Sequence, residues 1–126
     1  VIAGGIGIAP ILSMLRALGD RGDPRPHLLL HAGSRLDRLT GHEAIEALAA
    51  RLTLTVVPVL TEPEPDWTGE QGYVTPELLA RRLPGDLAAR HYFICGPPLM
   101  IRSVTRHLAS LGVPRARIHS ELFDMF

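Results

Sequence analysis

Val1-Ile2-Ala3-Gly4-Gly5-Ile6-Gly7-Ile8-Ala9-Pro10 opens the chain, and an apolar pattern of helical period follows directly. An apolar triplet, glycines at 4, 5 and 7, and a proline ahead of Ile11, Leu12, Leu15 and Leu18 read as a strand, a tight turn and a helix start. Glycine admits backbone angles closed to other residues and lets the main chain approach a ligand closely. The orphan N–H groups and the positive end of the helix dipole then point the same way, an arrangement suited to phosphate. Such turns also arise for packing alone, so this loop by itself leaves nucleotide binding and a structural turn both open.

Working outward, short β-rich runs alternate with helical stretches, the pattern of an open parallel sheet with helices on both faces. Strands are predicted at Val1–Ala3, His27–Ala32, Leu54–Leu60, His91–Cys95 and Ile118–Leu122, and the second is apolar enough to be covered on both sides. Helices are predicted at Pro10–Gly19, after a capping box of Thr40 and Glu43, at Pro76–Arg82 behind Thr75, and from Pro97 or Pro98 to Gly112. A long Pro- and acid-rich loop spans Thr61–Gly72. With the first three strands wound one way and the last two laid on the other side of the first, the fold class is α/β. It is a three-layer sheet of about five strands in the order 3-2-1-4-5.

With 126 residues, 46% of them hydrophobic and 21% charged, the chain suits one domain, 1–126, with a real core. Thirteen Lys plus Arg balance 13 Asp plus Glu with no block of either sign, so neither a nucleic-acid nor a membrane-surface footprint is present. Cys95 is the single cysteine, which excludes an internal disulfide and suits a reducing compartment. A cytoplasmic location, or the cytoplasmic face of a membrane complex, is expected. No apolar run approaches the ~20 residues of a membrane span. The six histidines lack ligand spacing, so no metal site is expected. A first residue already inside a core strand suggests a piece of a longer chain.

In that topology the first and fourth strands are neighbours at a switch point, and ligands bind at the carboxyl ends of strands there. The loops that meet are Gly4–Pro10 and Cys95-Gly96-Pro97-Pro98, each holding glycine against a helix start. The ordinary dinucleotide fingerprint is absent, because Pro10 stands where its third glycine would be. After the second strand, Gly33-Ser34-Arg35 supplies a hydroxyl and a guanidinium in place of the ribose-binding acid.

Three motifs in order resemble the pyridine-nucleotide domain of the ferredoxin–NADP reductase superfamily of flavoenzymes. They are Gly4-Gly5-Ile6-Gly7-Ile8-Ala9-Pro10 followed by Ser13-Met14-Leu15-Arg16, then Cys95-Gly96-Pro97-Pro98-Leu99-Met100, then Glu121-Leu122-Phe123. Two departures are visible: Ile6 stands where many members have Thr, and Leu122 where many have Arg. The resemblance implies that Gly5 and Gly7 bind pyrophosphate and that Gly4, Ile6, Pro10, Gly96, Pro97 and Met100 belong to the same cofactor site. It puts Cys95 beside the nicotinamide, and Glu121 and Phe123 near the flavin edge. It further implies a FAD held mainly by a β-barrel domain preceding this one. Hydride would pass from NADH or NADPH to FAD, and electrons onward to an iron–sulfur, haem or ferric-iron acceptor.

Each of these residues also has a plainer reading. Cys95 ends an apolar strand and could be a small core hydrophobe. Glu121 could be a solvated strand-end acid, and Phe123 and Phe126 could serve domain docking as well as flavin contact. Ser34, Arg35, Thr61 and Glu62 would decide between nucleotides. Arg35 with Arg38 could pair a 2′-phosphate, whereas Glu62 would repel it, which tilts the expectation to NADH. The rival from another class is a nucleotide-binding module that regulates or senses without redox turnover.

Overall fold

Among the described residues six strands, numbered along the chain, form one sheet in the order 4-3-2-1-5-6, all pairs parallel. This computed structural model describes residues 1–5, 8–83 and 85–122, with the backbone alone for 121 and 122. In chain order the elements are β1 (Ile2–Gly4), α1 (Ile8–Asp20), β2 (His27–Gly33), α2 (His42–Ala49), β3 (Leu54–Leu60), β4 (Glu70–Gln71), α3 (Pro76–Arg82), β5 (Tyr92–Gly96), α4 (Pro98–Ser110) and β6 (Ile118–Leu122). The five expected strands are present in the expected order. A sixth, β4, adds two residues to the free side of β3, inside the segment read as loop.

Strand periodicity divides the core into two layers. Ile2, Leu30, Val57, Val59, Tyr92 and Ile94 pack with Leu78 and Leu79 of α3 and Ile101, Val104 and Leu108 of α4. The intervening residues Ala3, Leu29 and Cys95 pack with Ile8, Ile11, Leu15 and Leu18 of α1 and Ile45 and Leu48 of α2. Both faces of β1, β2 and β5 are covered, so a continuous apolar run is the right sequence for each.

Local signals account for the helix ends. Thr75 Oγ1 accepts the Leu78 N–H at 3.1 Å and Pro76 is the first helical residue, as the cap-then-proline rule predicts. At the other end of α4, Gly112 adopts φ 91°. The predicted capping box does not form: α2 begins at His42 behind Gly41, with no side-chain cap bond. Gly41 has φ 77°, and a Cβ there would lie 2.9 Å from Leu12 Cδ1, so close passage over α1 decides the cap. Pro58 is tolerated within β3 because β4 reaches only Val59 and Leu60, leaving an open edge beside the proline.

The short β4 is anchored by charge. Glu70 takes Arg81 Nη2 at 2.6 Å and Arg82 Nε at 2.5 Å, and these side-chain bonds hold its carboxyl below the usual range. The anchor leads the chain from the far edge of the sheet back to α3 and leaves Tyr73 on the way.

Candidate functional site

The switch point lies between β1 and β5, where Ile2 pairs with Ile94 and Ala3 with Cys95. One residue further, Gly4 and Gly96 end their strands, and neither has room for a side chain. A Cβ on Gly4 would come within 2.5 Å of Met100 Sδ, and one on Gly96 within 2.7 Å of Met100 Cε and 3.1 Å of the Gly4 carbonyl oxygen. The two glycines therefore let the first turn of α4 lay Met100 across both strands. Gly5 then turns the chain at φ 58°, in the left-handed region, with a Cβ position 4.0 Å from the Pro97 ring.

Two other candidates of this loop, Ile6 and Gly7, lie outside the described residues. Beyond them α1 begins at Ile8, so Pro10 falls in its first turn, where a missing N–H costs no helical bond. Pro97 caps α4 in extended conformation and Pro98 is its first residue. Two helix starts with their orphan donors thus flank the same strand ends.

Between these loops opens a cleft of about 450 Å³, within the range of small-molecule sites. The carboxyl ends of β1, β2, β3 and β5 all contribute to it. Of the sequence candidates it brings together Gly4, Gly5, Thr61, Pro97 and Met100. Its walls are largely apolar, with the hydroxyls of Thr61 and Ser103 among them. Sequence reasoning missed Ser103 and the two large exposed side chains at the rim, Tyr73 at 79% and Leu99 at 77% exposure. Leu99 sits inside a recognised motif. Tyr73 had a detectable signal too, an aromatic directly after glycine at the end of a long loop.

Cys95 belongs to the other face. It is buried with Ala3, Ile8 and Leu15 and lines a separate cavity of about 360 Å³ whose walls include Pro10, Met14, Phe93 and His119. Pro10 accordingly faces the Cys95 side and is absent from the lining of the larger cleft. Glu121 pairs with Cys95 across β5 and β6, so the two candidate residues are neighbours in the sheet. The Glu121 side chain and Phe123 and Phe126 fall outside the described residues. Near them His119 stacks on Phe93 at 4.9 Å between ring centroids, and its Nε2 lies 3.2 Å from His91 Nδ1.

At the far end, two backbone bonds tie the β2 and β3 exits together: Thr61 N–H donates to the Gly33 oxygen at 3.0 Å and Glu62 N–H to the Ser34 oxygen at 2.8 Å. Ser34, Arg35 and Glu62 stand just outside the cleft lining. Arg35 is held by Asp37 Oδ1 at 3.3 Å and by Glu64. Among the described residues no three His, Cys, Asp or Glu are grouped to hold a metal, and no helix is long and apolar enough to cross a membrane.

Comparison with known proteins fits this geometry. Residues 1–106 match the family described as oxidoreductase NAD-binding domain. NADH-cytochrome b5 reductase 1 of Aspergillus clavatus is 35% identical over 132 residues, covering 98% of this chain and 42% of that protein. The CS-b5R domains of human Ncb5or, solved in their NAD+ form, align with a TM-score of 0.80 at 31% identity, over 94% of this chain and 35% of that one. Flavohemoglobin of Malassezia yamatoensis, solved with bound FAD and heme, shares the fold at a TM-score of 0.84 and 23% identity, over 97% of this chain and 30% of that one. The chain thus spans less than half the length of the relatives it matches.

Proposed function

The chain belongs to the oxidoreductase NAD-binding domain family, and on that premise we propose that it is the nicotinamide-nucleotide half of a flavin-dependent reductase. The observation that carries the reading is the pair of bare strand ends, Gly4 and Gly96, roofed by Met100 at the switch point. The main chain at Gly4 and Gly5 and the start of α4 at Pro97 and Leu99 line a cleft large enough for part of a dinucleotide, with Met100 as part of its wall. Gly5 and the residues after it hold the pyrophosphate through backbone N–H groups. Thr61 and Ser103 supply hydroxyls along the wall, and Leu99 and Tyr73 shield the bound nucleotide from water.

When bound, the nicotinamide supplies a hydride for FAD, which a preceding barrel domain holds. This chain contributes alignment, the usual part of a protein in cofactor chemistry. Cys95 fixes the end of β5 beside the nicotinamide, and Glu121, its neighbour across the β5–β6 pair, sets the charge near the flavin edge. NADH is the preferred donor. A haem-type acceptor, with iron–sulfur or ferric iron as the other classes, takes the electrons one at a time, and the enzyme works in or facing the cytoplasm.

The test is to express the natural polypeptide at full length and look for a yellow protein whose flavin bleaches under NADH without oxygen. A flavin that stays oxidised with both NADH and NADPH overturns the reading. Cys95→Ala should slow flavin reduction and leave FAD content unchanged; an unchanged rate returns Cys95 to a packing role.

A further inference from the structure

Resting on the nucleotide reading above, we propose that His107 is a positioning residue, whose imidazole holds the Ser103 hydroxyl in the cleft as the partner of a ribose hydroxyl. Ser103 and His107 stand one turn apart on α4, and Ser103 Oγ lies 3.0 Å from His107 Nε2. Helical side chains lean toward the N-terminus, so the longer His107 reaches back over Ser103. Ser103 lines the cleft and His107 is absent from the lining, so the imidazole acts on a ligand only through the hydroxyl.

A serine inside a helix commonly turns its hydroxyl back to a carbonyl of the preceding turn, as Ser110 does to the His107 oxygen at 2.7 Å. Ser103 instead pairs with an imidazole, which leaves its hydroxyl free to meet a ligand. When His107 Nε2 is bare, Ser103 gives it the hydroxyl proton and offers the cleft only lone pairs; when Nε2 carries a proton, Ser103 also donates. A ribose hydroxyl both donates and accepts, so it matches Ser103 in either tautomer, whereas an ionised phosphate oxygen only accepts and matches one. Position points the same way. From Pro98, the first residue of α4, to Ser103 the helix rises about 7.5 Å, which sets the hydroxyl one sugar beyond a pyrophosphate held at Gly5 and the start of α4. By keeping the hydroxyl in one rotamer before the ligand arrives, His107 removes part of the ordering cost of binding.

In the full-length protein, binding of 5′-ADP, 2′-deoxy-5′-ADP and 3′-deoxy-5′-ADP is measured by calorimetry, with circular dichroism to check folding. The native chain should bind one of the deoxy analogues about fivefold more weakly than 5′-ADP, the scale of one neutral hydrogen bond. Ser103→Ala should erase that preference. His107→Leu should reduce it to about twofold, because the hydroxyl stays but is no longer held. His107→Gln, whose amide offers the same donor and acceptor, should restore it. A histidine that merely packs changes all three affinities alike, so the ratio separates positioning from structure. If His107→Leu leaves the ratio untouched, or His107→Gln does not restore it, the positioning role is overturned. If the native chain shows no preference, or the preference survives Ser103→Ala, the ribose pairs elsewhere, and the proposal falls while nucleotide binding stands. If none of the three nucleotides binds, the site reading fails and the proposal goes with it.

Discussion

The two faces of the sheet use the same strands in opposite ways. On the α3–α4 face, the last residues of β1 and β5 are Gly4 and Gly96, and the space they leave is shared between Met100 and an open cleft. On the α1–α2 face, the residues just before them, Ala3 and Cys95, are buried against the helices, with the smaller cavity beside Cys95, and His31 of β2 is buried on that side at 1% exposure. A one-residue step along a strand therefore separates ligand space from packed core. What the contrast teaches is that a substitution on the packed face acts first through stability, whereas one on the open face acts through packing under Met100, through binding, or through both.

The largest effect expected lies on the closed face. Burial, with the His42 imidazole nearby, pushes His31 from its ordinary 6.5 down to about 4, and its Nδ1 has no hydrogen-bond partner. The folded chain thus holds His31 neutral while the unfolded chain protonates it. Stability is fully present above pH 6.5 and is lost as the pH falls toward 4, by on the order of 3 kcal/mol. Urea midpoints measured across that interval should fall steeply for the native chain and more gently for His31→Leu. Equal slopes would mean that the imidazole is not held neutral.

Next come the glycines of the open face. Gly96→Ala should cost about 2 kcal/mol and Gly4→Ala about 1 kcal/mol, the scale of overpacking a well-filled site. The difference follows from what each new methyl meets. At Gly4 it meets Met100, a flexible side chain, and at Gly96 it also meets the backbone oxygen of Gly4 at 3.1 Å. Met100→Ala should therefore relieve Gly4→Ala almost fully and Gly96→Ala only in part, a double-mutant cycle readable in thermal midpoints. Equal rescue would show that the two strand ends are not differently crowded.

Much of this was legible because each helix and inner strand carries its own apolar period, and because the Thr75-Pro76 and Gly112 signals are local. The two glycine loops could be placed together once the strand order was derived. What escaped depended on distant partners. The cap of α2 is set by Leu12 of another helix, a contact that no reading of Thr40 and Glu43 contains. The strand β4 has two residues and no period, and it exists because Glu70 finds Arg81 and Arg82. Cys95 and Met100 come from one motif yet face opposite sides of the sheet, since Cys95 points as a strand residue and Met100 lies on the helix that follows. Tyr73 enters the cleft only through the return path from β4, which the chain pattern did not reveal.

Tyr73 also gives the finest test of the contrast. Its ring is 79% exposed at the rim, and its neighbour Val74 is buried in the layer beneath, so the ring does little for the fold. Removing an exposed ring normally changes stability by no more than about 0.5 kcal/mol. An aromatic face beside a cleft is nevertheless a surface on which a planar base can stack, worth about 1 kcal/mol or more. Tyr73→Ala should thus leave the thermal midpoint within about 2 °C and weaken 5′-ADP by about fivefold, while Tyr73→Phe keeps the affinity because stacking needs the ring and not the hydroxyl. If Tyr73→Ala unfolds the domain, the rim residue belongs to the core. If it changes neither property, the nucleotide base rests elsewhere along the cleft, and the open face begins nearer to Thr61 than to β4.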